Sequence, residues 1–308
     1  MPSPPIGGKA LIMPAKFNHK SSARPLVGIA LIVTSVALLP LMDSMVKILM
    51  RDLELMQIIM VRSAVQSSLI VPVALHLHGT AALSVLRSPV HYIRALLLLA
   101  SMLCFFTAIR SMPIVDTVAI GFNYPLMIAA AAPLVLGEKV GWRRWSAILV
   151  GFIGALVMIR PGFREISPAI VLALFSGVFF AAHLLLTRKL AGGTPATVTL
   201  AFTSVFVLAV ASAFAPFVWR EPDGTAWLML VAVGLLVTIC GYVMIRAYDF
   251  AQASLLAPFG YTELIFAAMA SYFIFSHTPE PAVLIGALIV IASGIYISVR
   301  ENRAAAAG

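Results

Sequence analysis

The chain has 308 residues, 61% of them apolar and only 11% charged, with a mean hydropathy of +1.03. Soluble domains run at about 45–50% apolar and about 25% charged, so a water-soluble globular enzyme and a disordered chain are both excluded. The net charge of +9 does not indicate nucleic acid, because no basic cluster is interleaved with aromatic residues and basic residues collect in the cytoplasmic loops of membrane proteins.

Residues 1–25 are basic and rich in Pro and Gly, and they read as a disordered tail. The apolar run that follows is longer than a signal-peptide core and continues into Met42-Asp43-Ser44 without a cleavage motif, so it is expected to be retained as a first helix. Ten spans are predicted: Leu26–Leu49, Leu55–Leu77, Val90–Ile109, Ile114–Leu136, Trp145–Ile159, Pro168–Thr187, Thr197–Val218, Thr225–Ile245, Phe250–Phe275 and Ala282–Val299. The runs are continuous rather than alternating, which favours helices over a barrel. The fifth span is short and needs its flanking Trp and Arg residues at the interface. Connections carry turn formers, as in Arg160-Pro161-Gly162 and Pro222-Asp223-Gly224. The expected fold is an all-α polytopic membrane protein.

Orientation follows from Lys and Arg. With the N-terminus inside, thirteen fall on the cytoplasmic side against five outside (Arg51, Arg110, Arg160, Arg164 and Arg220), and Lys47, Arg62 and Arg94 lie within spans. The expected location is the inner (plasma) membrane with both termini cytoplasmic.

An internal repeat is visible. Cys104…Ile109-Arg110 answers Cys240…Ile245-Arg246, Phe122-Asn123-Tyr124 answers Phe259-Gly260-Tyr261, and Ala147, Gly154 and Arg160 answer Ala287, Gly294 and Arg300. Residues 26–160 and 167–300 thus form two five-span units, with 301–308 a short C-terminal tail. Five is odd, so the second unit is expected upside down relative to the first. In transporters that arrangement puts the substrate site near the midplane between halves.

These residues resemble the EamA-type permeases of the drug/metabolite transporter superfamily. The resemblance rests on Met42-Asp43-Ser44-Met45-Val46-Lys47, Arg62, Pro113-Ile114-Val115-Asp116, Pro125, Leu136-Gly137-Glu138, Gly151…Gly154 and Arg160-Pro161-Gly162 in the first unit. In the second it rests on Arg246-Ala247-Tyr248, Ala257-Pro258-Phe259-Gly260-Tyr261 and Gly286-Ala287 with Gly294. The second-half counterpart of Gly-Glu stands here as Ser276-His277. The resemblance implies a basket in which the first four helices of each unit line a cavity, with the fifth and tenth peripheral. It also implies a secondary transporter of small organic metabolites, amino-acid-like or nucleoside-like. S-adenosylmethionine uptake permeases of the family share a similar Met-Asp-Ala/Ser…Val-Lys opening.

An ionised group at membrane depth costs about 2.5–3.5 kcal/mol on insertion scales, so in-span ionisable residues are the site candidates. Asp43 and Lys47 are four apart and can pair near the outer interface or serve a substrate. Arg62, with Gln66 one turn on, can bind a substrate carboxylate or tie carbonyls and a neighbouring acid. Arg94 and Asp116 lie near span ends, within snorkelling reach of the interface. Asp116 and Asn123 share one face of the fourth span, and Tyr124 with its repeat mate Tyr261 is expected to face one shared cavity. Pro125 and Pro258 interrupt their helices and free carbonyls that a cavity could use. His183 reads either as a hydrogen-bonded packing residue or as a near-neutral titrating group. Glu138 reads as a cap or latch.

Glu263 ranks first. It lies near the centre of the ninth span with no Lys or Arg within four residues, so its partner is another helix, Arg62 or a ligand. It is either a proton carrier for coupling or a hydrogen-bonded structural acid. No cofactor or metal is expected: Cys104 and Cys240 lie within apolar runs as free thiols, and no phosphate-binding Gly-x-x-x-x-Gly-Lys-Ser/Thr loop exists. The anticipated partners are a small-molecule substrate, the lipid bilayer and a coupling proton. An intramembrane enzyme and a passive channel are the competing classes, the former weakened because His76-Leu77-His78 lacks a third ligand.

Overall fold

The structure, a computed structural model, describes residues 25–136, 142–159, 167–190, 193–251 and 253–307. The basic tail, Glu138 and the Arg160-Pro161-Gly162 turn lie outside the described residues.

Twelve α-helices follow one another, and no strand occurs among the described residues. They are α1 (Pro25–Leu49), α2 (Leu55–His78), α3 (Pro89–Ser111), α4 (Ile114–Gly121), α5 (Tyr124–Leu136), α6 (Trp142–Ile159), α7 (Pro168–Lys189), α8 (Ala196–Phe214), α9 (Gly224–Phe250), α10 (Ala253–Gly260), α11 (Glu263–Phe275) and α12 (Pro281–Ala307). Short 3-10 stretches at Gly79–Arg87 and Ala215–Val218 follow α2 and α8. Helix starts obey local chemistry. Proline occupies the first turn of α3 and α7, where its missing N–H costs no intrahelical bond, and Asp223 caps α9 by accepting from the Ala226 amide at 2.6 Å. Among the described residues, eight stretches are long and apolar enough to cross a membrane, and two shorter apolar helices lie at Trp145–Ile159 and Pro281–Ile297.

Two expected spans are each built from two helices. The fourth divides into α4 and α5 at Phe122-Asn123, where Gly121 and Pro125 flank the break. Pro125 has no N–H and disfavours the α conformation for Tyr124 before it. The ninth divides into α10 and α11 at Tyr261-Thr262, just after Pro258 and Gly260. Both breaks are closed by tight i→i+3 bonds, Asn123 N–H to the Ile120 carbonyl at 3.2 Å and Thr262 N–H to the Phe259 carbonyl at 3.1 Å. The Thr262 hydroxyl also donates to Phe259. The Ile120 and Phe259 carbonyls at the two breaks are thus held by 3-10 geometry.

The most extensive contacts join α1 to α9, α2 to α8, α3 to α7 and α6 to α12. Each pairs a helix from the first half of the chain with one from the second. Small residues let backbones approach. A Cβ at Gly154 would sit 2.9 Å from the Gly286 carbonyl, and one at Gly28 2.8 Å from the Ala251 methyl.

Candidate functional site: a cavity around Arg62

A cavity of about 210 Å³ lies among α1, α2, α3, α8 and α9. Its polar lining is Ser35, Arg62, Ser63, Gln66, Thr203, Ser204 and Cys240, set among Leu39, Leu98, Met102, Val207 and Met244. Arg62 is its chemical centre. The guanidinium is buried, meets the Met102 sulfur at 3.8 Å and lies 5.9 Å from the Phe106 ring centroid. Its Nε has no hydrogen-bond partner. Sulfur and an aromatic face are weak partners for a cation, so this fork retains donors for a ligand oxygen. Ser63 and Gln66, neighbours of Arg62 on α2, line the cavity with side chains that make no hydrogen bond among the described residues.

The acids are arranged differently from expectation. Asp43 and Lys47 form no ion pair. Lys47 donates to the Met112 carbonyl at 2.7 Å and stands 5.3 Å from the Phe275 ring centroid, whereas the buried Asp43 lies within electrostatic reach of Arg62. Glu263 is half-buried at the start of α11 and does not meet Arg62; its electrostatic neighbours are Asp43, Tyr124 and Cys240. The structure thus gathers Asp43, Arg62, Cys240 and Glu263 from α1, α2, α9 and α11.

Other candidates fall elsewhere. Asn123, at the α4/α5 break, donates to the Leu174 carbonyl at 3.2 Å, and its Oδ1 packs against Gly177, where a Cβ would overlap it. Tyr124 and Tyr261 both lie against Phe122, with centroids 5.5 and 5.4 Å away, and the Tyr261 hydroxyl fills the space over Gly294 of α12. Their shared surface is an aromatic contact, and neither lines the Arg62 cavity. His183 hydrogen-bonds the Arg94 carbonyl through Nδ1 at 2.9 Å and stacks on Phe180, which fits packing.

Arg94 and Asp116 do not snorkel; both are 3% exposed. Asp116 lies within electrostatic reach of Lys47. The Arg94 guanidinium binds the Thr187 hydroxyl at 3.3 Å, the Thr199 carbonyl at 3.0 Å and the Thr203 hydroxyl, tying α3 to α7 and α8. Sequence reasoning missed Ser63, Ser204, Thr203 and Met102 as lining residues. Hydroxyl and thioether side chains on apolar helices carry no signal until helix rotation is known.

A small, mainly apolar cavity with a few polar groups, walled by membrane-crossing helices from both halves of the chain, is what a membrane carrier needs. The EamA-like transporter family model matches residues 26–160 and again 167–299, and the chain belongs to that family. It is a multi-span membrane transporter of small metabolites and not an enzyme. The chain is 30% identical over 228 residues to an S-adenosylmethionine uptake transporter of Rickettsia felis, covering 74% of this chain and 77% of that one. It is 29% identical to a riboflavin transporter of Vibrio cholerae, over 62% of this chain and 64% of the relative. A pseudopaline exporter of Pseudomonas aeruginosa is 27% identical over 88% and 95% of the two chains. A solved crystal structure with 17% identity superposes with a TM-score of 0.62, covering 91% of this chain and 97% of its own, and shows the same fold.

Proposed function

We propose that the protein moves a zwitterionic or cationic organic metabolite of the S-adenosylmethionine type across the plasma membrane by alternating access. The observation that carries this reading is the incompletely satisfied Arg62 in the cavity, with the acids Asp43 and Glu263 nearby. Arg62 receives the substrate carboxylate as a bidentate fork, and the acids balance its ammonium or sulfonium charge. The cavity volume of about 210 Å³ suits an amino-acid-sized moiety. Ligands with a nucleoside need more, since drug-sized pockets run at about 300–1,000 Å³, so the helices part to admit one.

The transport cycle we infer uses ten spans arranged as two inverted five-span halves, counting the two shorter apolar helices. Supporting this, the Ser67 hydroxyl donates to Ser204 at 3.0 Å across 137 positions, close to the offset between the sequence repeats. A residue bonded to its own repeat mate lies on a two-fold axis. On one side of that bond His78 meets Thr197, and on the other Ile59 packs with Val207 and Ala211, the order of antiparallel helices. The pairs α1–α9 and α3–α7 also exchange under the same operation. Both termini are assigned to the cytoplasm from the bias in basic residues, and alkaline-phosphatase activity of a fusion at Gly308 would reverse that assignment. Glu263 is assigned the coupling proton.

Counterflow tests the whole reading. Proteoliposomes preloaded with S-adenosylmethionine are expected to accelerate uptake of labelled S-adenosylmethionine, as a carrier does. Uptake that ignores preloading would indicate a channel, and no uptake from a panel of metabolites would remove the carrier reading.

A further inference from the structure

A second cavity, of about 270 Å³, lies at the Lys47 end of the bundle, where α1, α3 and α11 finish and α4 begins. Its chemistry is set by Lys47, Arg110, Ser111, Ser271, Phe275 and His277. Three of the six are basic, and no acid lines it. We propose that this cavity is a binding site for a small organic carboxylate, distinct from the Arg62 cavity and placed where substrate first meets the protein; the assignment to substrate entry rests on the carrier reading above.

The case begins with what each basic group has left over. A lysine ammonium has three donors, and the Met112 carbonyl takes one of Lys47's. The Arg110 guanidinium touches Glu54 only at 4.0 Å, the limit of an ion pair, while Glu54 gives its close contact, at 2.9 Å, to Arg220. The His277 Nε2 is buried without a hydrogen-bond partner. Basic residues also gather at helix C-termini to balance the dipole, and three helices end here. That role needs one contact per carbonyl end and does not account for a cavity with unused donors on Lys47 and Arg110 beside an unpartnered His277 ring nitrogen. The α4 N-terminus adds favourable polarity. The Val115 amide donates to the Ser271 hydroxyl at 3.1 Å, which places a hydroxyl and the first turn of a helix at the cavity wall.

Within the chain itself the basic character of this position is a departure. The first half ends its fourth span with Gly137-Glu138, and the corresponding pair in the second half is Ser276-His277. An acid at the His277 position would offset Lys47 and Arg110, whereas a histidine adds no negative charge there. Opposing charge nearby includes Asp116, within electrostatic reach of Lys47 and outside the lining, and Glu54 beyond Arg110; Arg51 adds to the positive side. The volume takes a carboxylate with a short side chain, and the Phe275 ring supplies an apolar wall. Asp43 stands one helical turn below Lys47 on α1 and within electrostatic reach of Arg62, so the two cavities are linked along one helix.

The test reads the cavity directly. In Ser111→Cys protein in nonionic detergent, labelling by N-ethylmaleimide is followed over the background from Cys104 and Cys240. Millimolar L-methionine is expected to slow labelling severalfold, and L-methioninamide, which lacks the carboxylate, is expected not to. Adding Lys47→Gln or His277→Gln is expected to raise the half-protecting concentration about tenfold or more, the weight of one charge-assisted hydrogen bond, whereas Arg62→Gln leaves it in place. Equal protection by the amide, protection that survives both basic-residue variants, or protection lost in Arg62→Gln would each overturn the site. Slow labelling in phosphatidylglycerol nanodiscs but not phosphatidylcholine ones, with no amino acid added, would assign the cavity to a lipid headgroup and also overturn it. Uptake assays on the same variants separate the two readings. Uptake with no protection removes this site alone, and protection without transport of any metabolite removes the carrier reading alone.

Discussion

Arg62 and Arg94 are both buried arginines on helices of the first half, yet their surroundings could hardly differ more. Arg94 gives its guanidinium to fixed oxygens on Thr187, Thr199 and Thr203, and its own carbonyl is bonded by His183. Arg62 faces a thioether, an aromatic ring and a cavity, with Asp43 only at electrostatic range. Burying a charge is tolerated when its terminal nitrogens are spent on protein oxygens, as at Arg94, although the Arg94 Nε, like that of Arg62, has no hydrogen-bond partner. A buried cation with unspent donors, as at Arg62, is kept for a ligand or for a change of state. Burial alone therefore does not separate a structural arginine from a functional one; the chemistry of its partners does.

The largest expected effect breaks that contrast at Arg62. Arg62→Ala is expected to cut uptake about 100-fold, the loss of a bidentate charge-assisted contact, while the thermal midpoint stays level or rises because little protein bonding is lost. Uptake and melting on the same preparation check this, and a large drop in melting temperature with uptake retained would reverse the assignment. Glu263→Gln comes next. It keeps size and hydrogen bonding but cannot titrate, so uptake is expected to lose its dependence on external pH while binding persists. A pH profile unchanged from wild type would make Glu263 structural.

Arg94→Ala sharpens the comparison from the other side. It removes the guanidinium's bonds to Thr187, Thr199 and Thr203 and so releases α3 from α7 and α8, and stability is expected to fall by about 1–3 kcal/mol, with uptake falling only as folded protein is lost. Thermal melts with folded-fraction correction measure it. The smallest effect is expected at Ser276, the one non-glycine residue with positive φ (53°) among the described residues, where it ends α11 in the left-handed conformation. Ser276→Gly relieves about 1 kcal/mol of backbone strain, seen as a modest rise in melting temperature, and leaves both arginines untouched.

Much of the fold was readable because lipid leaves the backbone few options: apolar runs near 20 residues must be helices, and glycine with proline marks where they stop or break. Pro125 announced an interruption in the fourth span, and Pro258 announced one in the ninth. The ionisable residues named themselves by their cost in an apolar setting, so Asp43, Arg62, Glu263 and Lys47 could be chosen without coordinates.

Their partnerships could not. Four-residue spacing brought Asp43 and Lys47 to one helix face, yet Lys47 turns to the Met112 carbonyl and Asp43 lies within electrostatic reach of Arg62 without bonding it. Arg94 and Asp116 sit close enough to span ends to snorkel, yet both are buried. Periodicity along one helix shows which residues share a face, but the rotation of that face toward particular neighbours arises from packing between helices distant in sequence. Close approaches such as Gly154 on Gly286 and Gly234 on Val65 set that rotation, and with it which hydroxyls and thioethers surround Arg62. The sequence determined the all-helical, multi-span class, the breaks at two prolines and the inventory of costly charges. Only tertiary packing decided which of those charges is spent on protein and which is left facing a cavity, because that depends on distances between helices that no local pattern encodes.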